Sequence, residues 1–284
     1  MVEIGIALSV ACAAAGNVAM LCKHRGARQA AAVSVEHPLR SAVALFRSPW
    51  WTVGFAIAAF AWVLHIIAIA LAPLSLVTAV VAGGIVLIAY PAERYFGQAL
   101  GRRELAGLLL AGIGLAFLAV TVPGHPGGPS GYSLETMVAF ETGAIALGMV
   151  LLGSARERGA GAGALLGAAS GLLIGVANVA IKGLTEALHL GAGALLSPWT
   201  AVIVIAGTVA FYALARGMQL GEAIPVITAA SVASSCAAIL GGVIVFGDPL
   251  GSDLGQALAR GAAFAGVIAA TALIPAPLRS AARA

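Results

Sequence analysis

Few residues in this chain could do chemistry, and nearly all of them lie inside apolar runs. Glu141 sits in LETMVAFETGAIALG, about 10 Å inside the membrane if a helix starts near Ser133. A carboxyl at that depth is costly, and it could bind or release a proton; it could also lie near the outer headgroups or be held protonated against a neighbouring helix. His65 is a lone imidazole in an apolar stretch, suited to proton transfer or to a buried hydrogen bond. Asn17 and Asn178 occupy matching contexts, AGNVAMLCK and GVANVAIKG. Lys182 follows Asn178 by four residues, where its ammonium either lines a cavity wall or reaches out to the interface. Tyr212, Thr78 and Thr228 complete a polar but sparsely charged set that could line a solute path. The eight form the candidate substrate-binding group, with Glu141 the candidate ligand if the solute is a magnesium ion. There is no HExxH, no GxSxG, no Walker loop and no paired His/Asp cluster, so an enzyme is not expected and no cofactor is implied.

The elements that must hold these residues are membrane helices. The 284 residues are 61% hydrophobic and 9% charged, against about 25% charged for soluble domains. Mean hydropathy is +1.04. The period is helical, which implies helices rather than a barrel. Nine spans are expected, roughly 4–22, 50–71, 74–95, 104–122, 134–153, 163–184, 198–216, 223–246 and 256–275.

Charge sets the topology. Thirteen of the fifteen Lys and Arg fall in alternate loops: Lys23, Arg25, Arg28, Arg40 and Arg47; Arg94, Arg102 and Arg103; Arg156 and Arg158; Arg216; Arg279 and Arg283. Only Lys182 and Arg260 fall at the other side. The positive-inside rule then predicts a multi-pass protein of the cell membrane with its N-terminus outside and its C-terminus cytoplasmic. The net charge of +4 follows from loops facing anionic lipid and needs no nucleic acid. Cys12, Cys22 and Cys236 lie in or at the ends of spans without a CxxC partner and behave as small apolar residues.

Packing signals are strong. Gly163, Gly167, Gly171 and Gly175 recur every four residues, and Asn178 and Lys182 continue that stripe. Gly5, Ser9, Ala13 and Asn17 form a smaller stripe in the first span. Glycine ladders serve contacts within a chain or between chains, so a homodimer stays open. Residues 23–49 are the longest polar segment, and LRSAVALFR within it fits a short helix lying on the inner leaflet or a basic loop that only sets orientation.

The stretch LAPLSLVTAVVAGGIVLIAYPAERYFGQALG returns 150 residues later as GEAIPVITAASVASSCAAILGGVIVFGDPLG. Thr78 falls on Thr228, Phe96-Gly97 on Phe246-Gly247, and Leu100-Gly101 on Leu250-Gly251, without a gap. Residues 1–122 and 161–284 therefore read as two four-helix repeats, with 123–160 supplying an external linker and a lone crossing helix. One crossing between them makes the second repeat inverted, and internal symmetry in a membrane protein points to a transporter. The fold class expected is an all-α integral membrane protein of about nine transmembrane helices.

These features resemble the drug/metabolite transporter superfamily (EamA-like), whose repeats carry an A..L.P....T pattern, a long helix and F.GE. Ala70 to Thr78 with Phe96-Gly97-Gln98 is similar to that pattern, as is Ala223 to Thr228 with Phe246-Gly247-Asp248. Gln98 departs from the acidic position. The nine-span layout, the basic loop after span one and Pro49-Trp50-Trp51 look like the NIPA-type branch, which implies magnesium transport. Three functions are thus expected in order: a secondary transporter of a small metabolite, a magnesium transporter, and a flippase for lipid-linked substrates. The partners expected are a small-molecule or ion substrate and membrane lipid.

Overall fold

The computed structural model describes residues 2–34, 36–71, 80–97, 101–121, 133–157, 159, 161–188, 192–247 and 254–273. Among them there is no strand. The helices are α1 (Val2–Gln29), α2 (Pro38–Arg47), α3 (Pro49–Leu71), α4 (Ala89–Phe96), α5 (Arg102–Thr121), α6 (Leu134–Glu157), α7 (Ala162–Leu188), α8 (Pro198–Leu220), α9 (Ala223–Phe246) and α10 (Leu254–Leu273). Two 3-10 segments, Gly84–Ile88 and Ala192–Leu196, precede α4 and α8. Thr78, Gln98 and Asp248 lie outside the described residues.

The protein is an all-helical, multi-pass membrane protein in composition. Five helices are long and apolar enough to cross a bilayer: Glu3–Gln29, Leu134–Ala155, Ala162–Leu184, Pro198–Leu220 and Ala223–Phe246. A sixth is added by α2 with Pro49–His65, a pair bent by 85°. Leu258–Ala270 in α10 is a shorter apolar helix. The first helix outruns its expected span: its 28 residues reach about 42 Å at 1.5 Å per residue, beyond a hydrocarbon core of about 30 Å. Its last turns carry Lys23, Arg25 and Arg28.

Prolines and serines set several starts. Pro198 opens α8 after Ser197, an extended residue with φ −70° and ψ 158°. Pro49 opens α3 directly after Ser48, which is extended too, with φ −75° and ψ 121°. Proline at the first helical position gives up an N–H that has no intrahelical acceptor there.

Close approaches decide the packing. The ladder on α7 is spent inside the chain, against α8 and α9. A Cβ on Gly167 would stand 2.5 Å from the Val226 carbonyl oxygen, and one on Gly171 would collide with that of Ala230. The ladder runs on to Gly175, opposite Ala237 and Ser234. In the first span the small stripe also finds a partner. Ser9 is buried, Ala13 faces Gly84, and Asn17 Nδ2 donates to the Gly84 carbonyl at 2.7 Å. This brings α1 against the 3-10 turn and explains why the chain can leave regular helix there: a side-chain donor takes a carbonyl oxygen at the break.

The two halves meet along two seams. One joins α5 to α9 and α10 through Ala111, Leu115, Leu118, Val232, Val267 and Ala270. The other gathers Leu21, Trp51, Ile88, Met218 and Ile224 at the end where α1 finishes and α9 begins. Polar groups lock that second seam. Gln219 Nε2 donates to the carbonyls of Ala27 and Ala31, each at 3.0 Å, while its Oε1 accepts from the Val33 N–H at 3.0 Å. The His24 ring bonds the Gly221 carbonyl at 2.9 Å, and Arg28 pairs with Glu222 at 3.5 Å.

Candidate functional site

A cleft of about 650 Å³ lies between α6, α7, α9 and α10. Helix α6 supplies Phe140, Gly143, Ala144 and Leu147; α7 supplies Leu165, Ala168 and Leu172; α9 supplies Pro225, Thr228, Val232, Cys236 and Leu240; α10 supplies Phe264 and Ile268. The volume suits a drug-sized molecule. The lining is nearly all hydrocarbon, and Thr228 and Cys236 are its residues with a polar side-chain atom. Leu147, Leu240 and Ile268 are exposed, so the cleft opens sideways between α6, α9 and α10. Small residues make it. Gly143, Ala144, Ala168, Ala229 and Ala233 leave room that larger side chains would fill.

Among the described residues, the structure does not gather the seven expected residues other than Thr78 around one polar hollow. Thr228 lines the cleft; it is buried, and its Oγ1 has no hydrogen-bond partner. Glu141 lies one step round α6 from the lining. It is 3% exposed, and neither carboxylate oxygen finds a hydrogen-bond partner. Met137 and Ala144, one turn to either side of it, join apolar clusters with Val179, Ala180, Trp199 and with Leu173, Val176, Ala177. Its surroundings on the α7 side are thus hydrocarbon, and such a carboxyl is expensive unless it has a task.

The remaining residues serve other contacts. Asn17 is committed to Gly84, within the first half. His65 is half-buried on α3, with Nδ1 unbonded and no place in the cleft. Asn178 is exposed, beside exposed Ile174 and Ile181, so it leaves the ladder rather than continuing it. The ladder's direction passes instead to Val179, which a Cβ on Gly241 would strike. Lys182 Nζ stands 3.9 Å over the Phe246 ring, a cation–π contact with the residue that precedes the second Phe-Gly turn. Tyr212 donates its hydroxyl to the Pro38 carbonyl at 2.9 Å, tying α8 to the start of α2. Thr78 lies outside the described residues.

Two contributors were not legible as such. Arg260 is buried on α10 and donates to the carbonyl of Thr121, the last residue of α5, where a cation meets the negative end of a helix. Its isolation within an apolar span is the available signal. Apart from Thr228, the cleft lining has no signal in the sequence, because alanine and leucine line a cavity and face lipid equally well.

Compared with family models, curated proteins and solved structures, the chain matches none of them.

Proposed function

We propose that this protein is a secondary transporter of the cell membrane that moves a small amphipathic solute by alternating access of two inverted repeats. The observation that carries this reading is the correspondence between the halves. In the first, α1 packs on α3 and on the Gly84 turn; in the second, α7 packs on α8 and α9. The last members of each set, α5 and α10, pair with each other. These principal pairings correspond when the halves are exchanged, while among the described residues the contact of α1 with α8 has no counterpart between α7 and α3, and α6 is left without a counterpart. Nine crossings, by α1, α3, the segment 80–96 and α5 to α10, would then run the second set opposite to the first, which is the arrangement of inverted-repeat carriers. The distribution of Lys and Arg supports an N-terminus outside and a C-terminus in the cytoplasm.

The cleft supports an apolar or amphipathic cargo, with Thr228 as the hydroxyl that orients it and Glu141 as the carboxyl that could couple its movement to a proton. A flippase for lipid-linked substrates is the second reading, and the sideways opening at Leu147, Leu240 and Ile268 favours it. The magnesium reading needs oxygen ligands beside Glu141. Among the described residues no group of three or more His, Cys, Asp or Glu comes together.

Cys236 gives a direct test. In a Cys12→Ala, Cys22→Ala background reconstituted into liposomes, a panel of labelled amphipathic solutes is screened for uptake and for protection of Cys236 against N-ethylmaleimide. A compound that is taken up and slows labelling at least fivefold supports the reading. Uptake with labelling unchanged places the path elsewhere.

A further inference from the structure

The second cavity, about 800 Å³, lies between residues 29–31 and α2, away from the cleft, and it joins three features that one ligand class would satisfy. The first is position. Helix α2 turns by 85° from α3, so a membrane-crossing α3 leaves α2 in the plane of the bilayer surface. The second is amphipathic exposure. Leu39, Val43 and Phe46 share one stripe of α2 and are exposed, Leu39 to 80%. Arg40 and Arg47, two turns apart, form the neighbouring stripe, and both are exposed. No ion pair of either is found among the described residues. The third is an unsatisfied donor. Ser48 is 7% exposed, lines the cavity, and its buried Oγ has no hydrogen-bond partner.

From this juxtaposition we infer that the cavity beside α2 is a binding site for an anionic phospholipid of the adjoining leaflet. The phosphate takes Arg40, Arg47 and the Ser48 hydroxyl, and the acyl chains run along Leu39 and Val43. Guanidinium groups suit phosphate because they donate in pairs, and an in-plane amphipathic helix with flanking arginines suits an anionic leaflet. A soluble phosphate would use the polar groups but would leave the exposed leucine and valine unexplained. The site therefore takes lipid. This inference needs α3 to cross the membrane but does not depend on transport.

The test uses full-length protein in an uncharged maltoside detergent, with the melting midpoint followed as lipid is added. Phosphatidylglycerol is expected to raise the midpoint and phosphatidylcholine to leave it unchanged. Arg40→Gln and Arg47→Gln should each raise the half-saturating phosphatidylglycerol concentration on the order of fivefold, and the double variant further. Both side chains are exposed, so the variants fold. Arg102→Gln/Arg103→Gln, two exposed arginines on α5, serves as the charge control and should bind like the parent. A double variant that binds as tightly as the parent overturns the proposal. So does an equal loss in the α5 control, or full stabilisation by inorganic phosphate alone.

Discussion

Gly97 and Gly247 hold the same backbone conformation, φ 65° with ψ 25° and φ 68° with ψ 26°. Each closes its helix by donating its N–H to the carbonyl five residues back, that of Ala92 in one case and Gly242 in the other. They are the two glycines with positive φ among the described residues. The sequence match at these positions is thus accompanied by the same cap conformation. The two caps differ in setting. Lys182 covers the ring of Phe246, while Phe96 meets Trp50 edge-on, with centroids 6.3 Å apart.

A left-handed residue with a Cβ costs about 1–2 kcal/mol. Neither glycine has an atom within 4 Å of where its Cβ would stand, so the backbone alone decides the cost. Gly97→Ala and Gly247→Ala should each destabilise the protein by that amount, and Asn at either place by less. Chemical-denaturant or thermal unfolding in detergent measures this. Equal losses are expected from the two sites; a neutral alanine at either would deny the cap its role.

The ladder on α7 makes a sharper contrast. Gly171→Ala would force a methyl against the Ala230 carbonyl, separating α7 from α9 at a cost of about 1–3 kcal/mol. Gly207 on α8 has open space around its Cβ position, so Gly207→Ala should stabilise by up to about 1 kcal/mol through helix propensity. Opposite signs in the same unfolding measurement are expected. Equal effects would mean that the α7–α9 contact is not limiting.

Glu141 should show stability and activity pulling apart. Its oxygens are buried without partners, so Glu141→Leu is expected to raise stability by roughly 1–3 kcal/mol. If the carboxyl carries the coupling proton, the same variant loses uptake at least tenfold, and Glu141→Asp restores part of it. Proteoliposome uptake beside a melting curve reads both. A variant that melts lower and transports normally would make Glu141 a packing residue.

The periodic features were readable because they repeat. Four glycines at intervals of four can only be a stripe, and Gly163 to Gly175 form one. The helix starts at Pro49 and Pro198 and the Phe-Gly ends at Gly97 and Gly247 likewise declare themselves through residues with restricted or unusual backbone preferences. Side-chain destinations were less readable. Nothing local to Tyr212 says that it will meet Pro38, and nothing local to Gln219 says that it will bridge Ala27, Ala31 and Val33. Those bonds depend on how distant helices cross. Asn178 shows the limit of extrapolating a stripe. Where α7 parts from the Gly171 contact, Val179 takes up the packing and the amide faces outward.

Inversion of the halves is the claim on which transport rests, and sidedness of the two Phe-Gly turns tests it most directly. Single cysteines replace Gln98 and Asp248, the residues that follow Gly97 and Gly247, in a background where Cys12, Cys22 and Cys236 are alanine. A membrane-impermeant maleimide is then applied to right-side-out and to inverted vesicles. Gln98→Cys should label only in inverted vesicles and Asp248→Cys only in right-side-out ones. Labelling of both from the same face would contradict the inverted repeat, and with it the carrier mechanism.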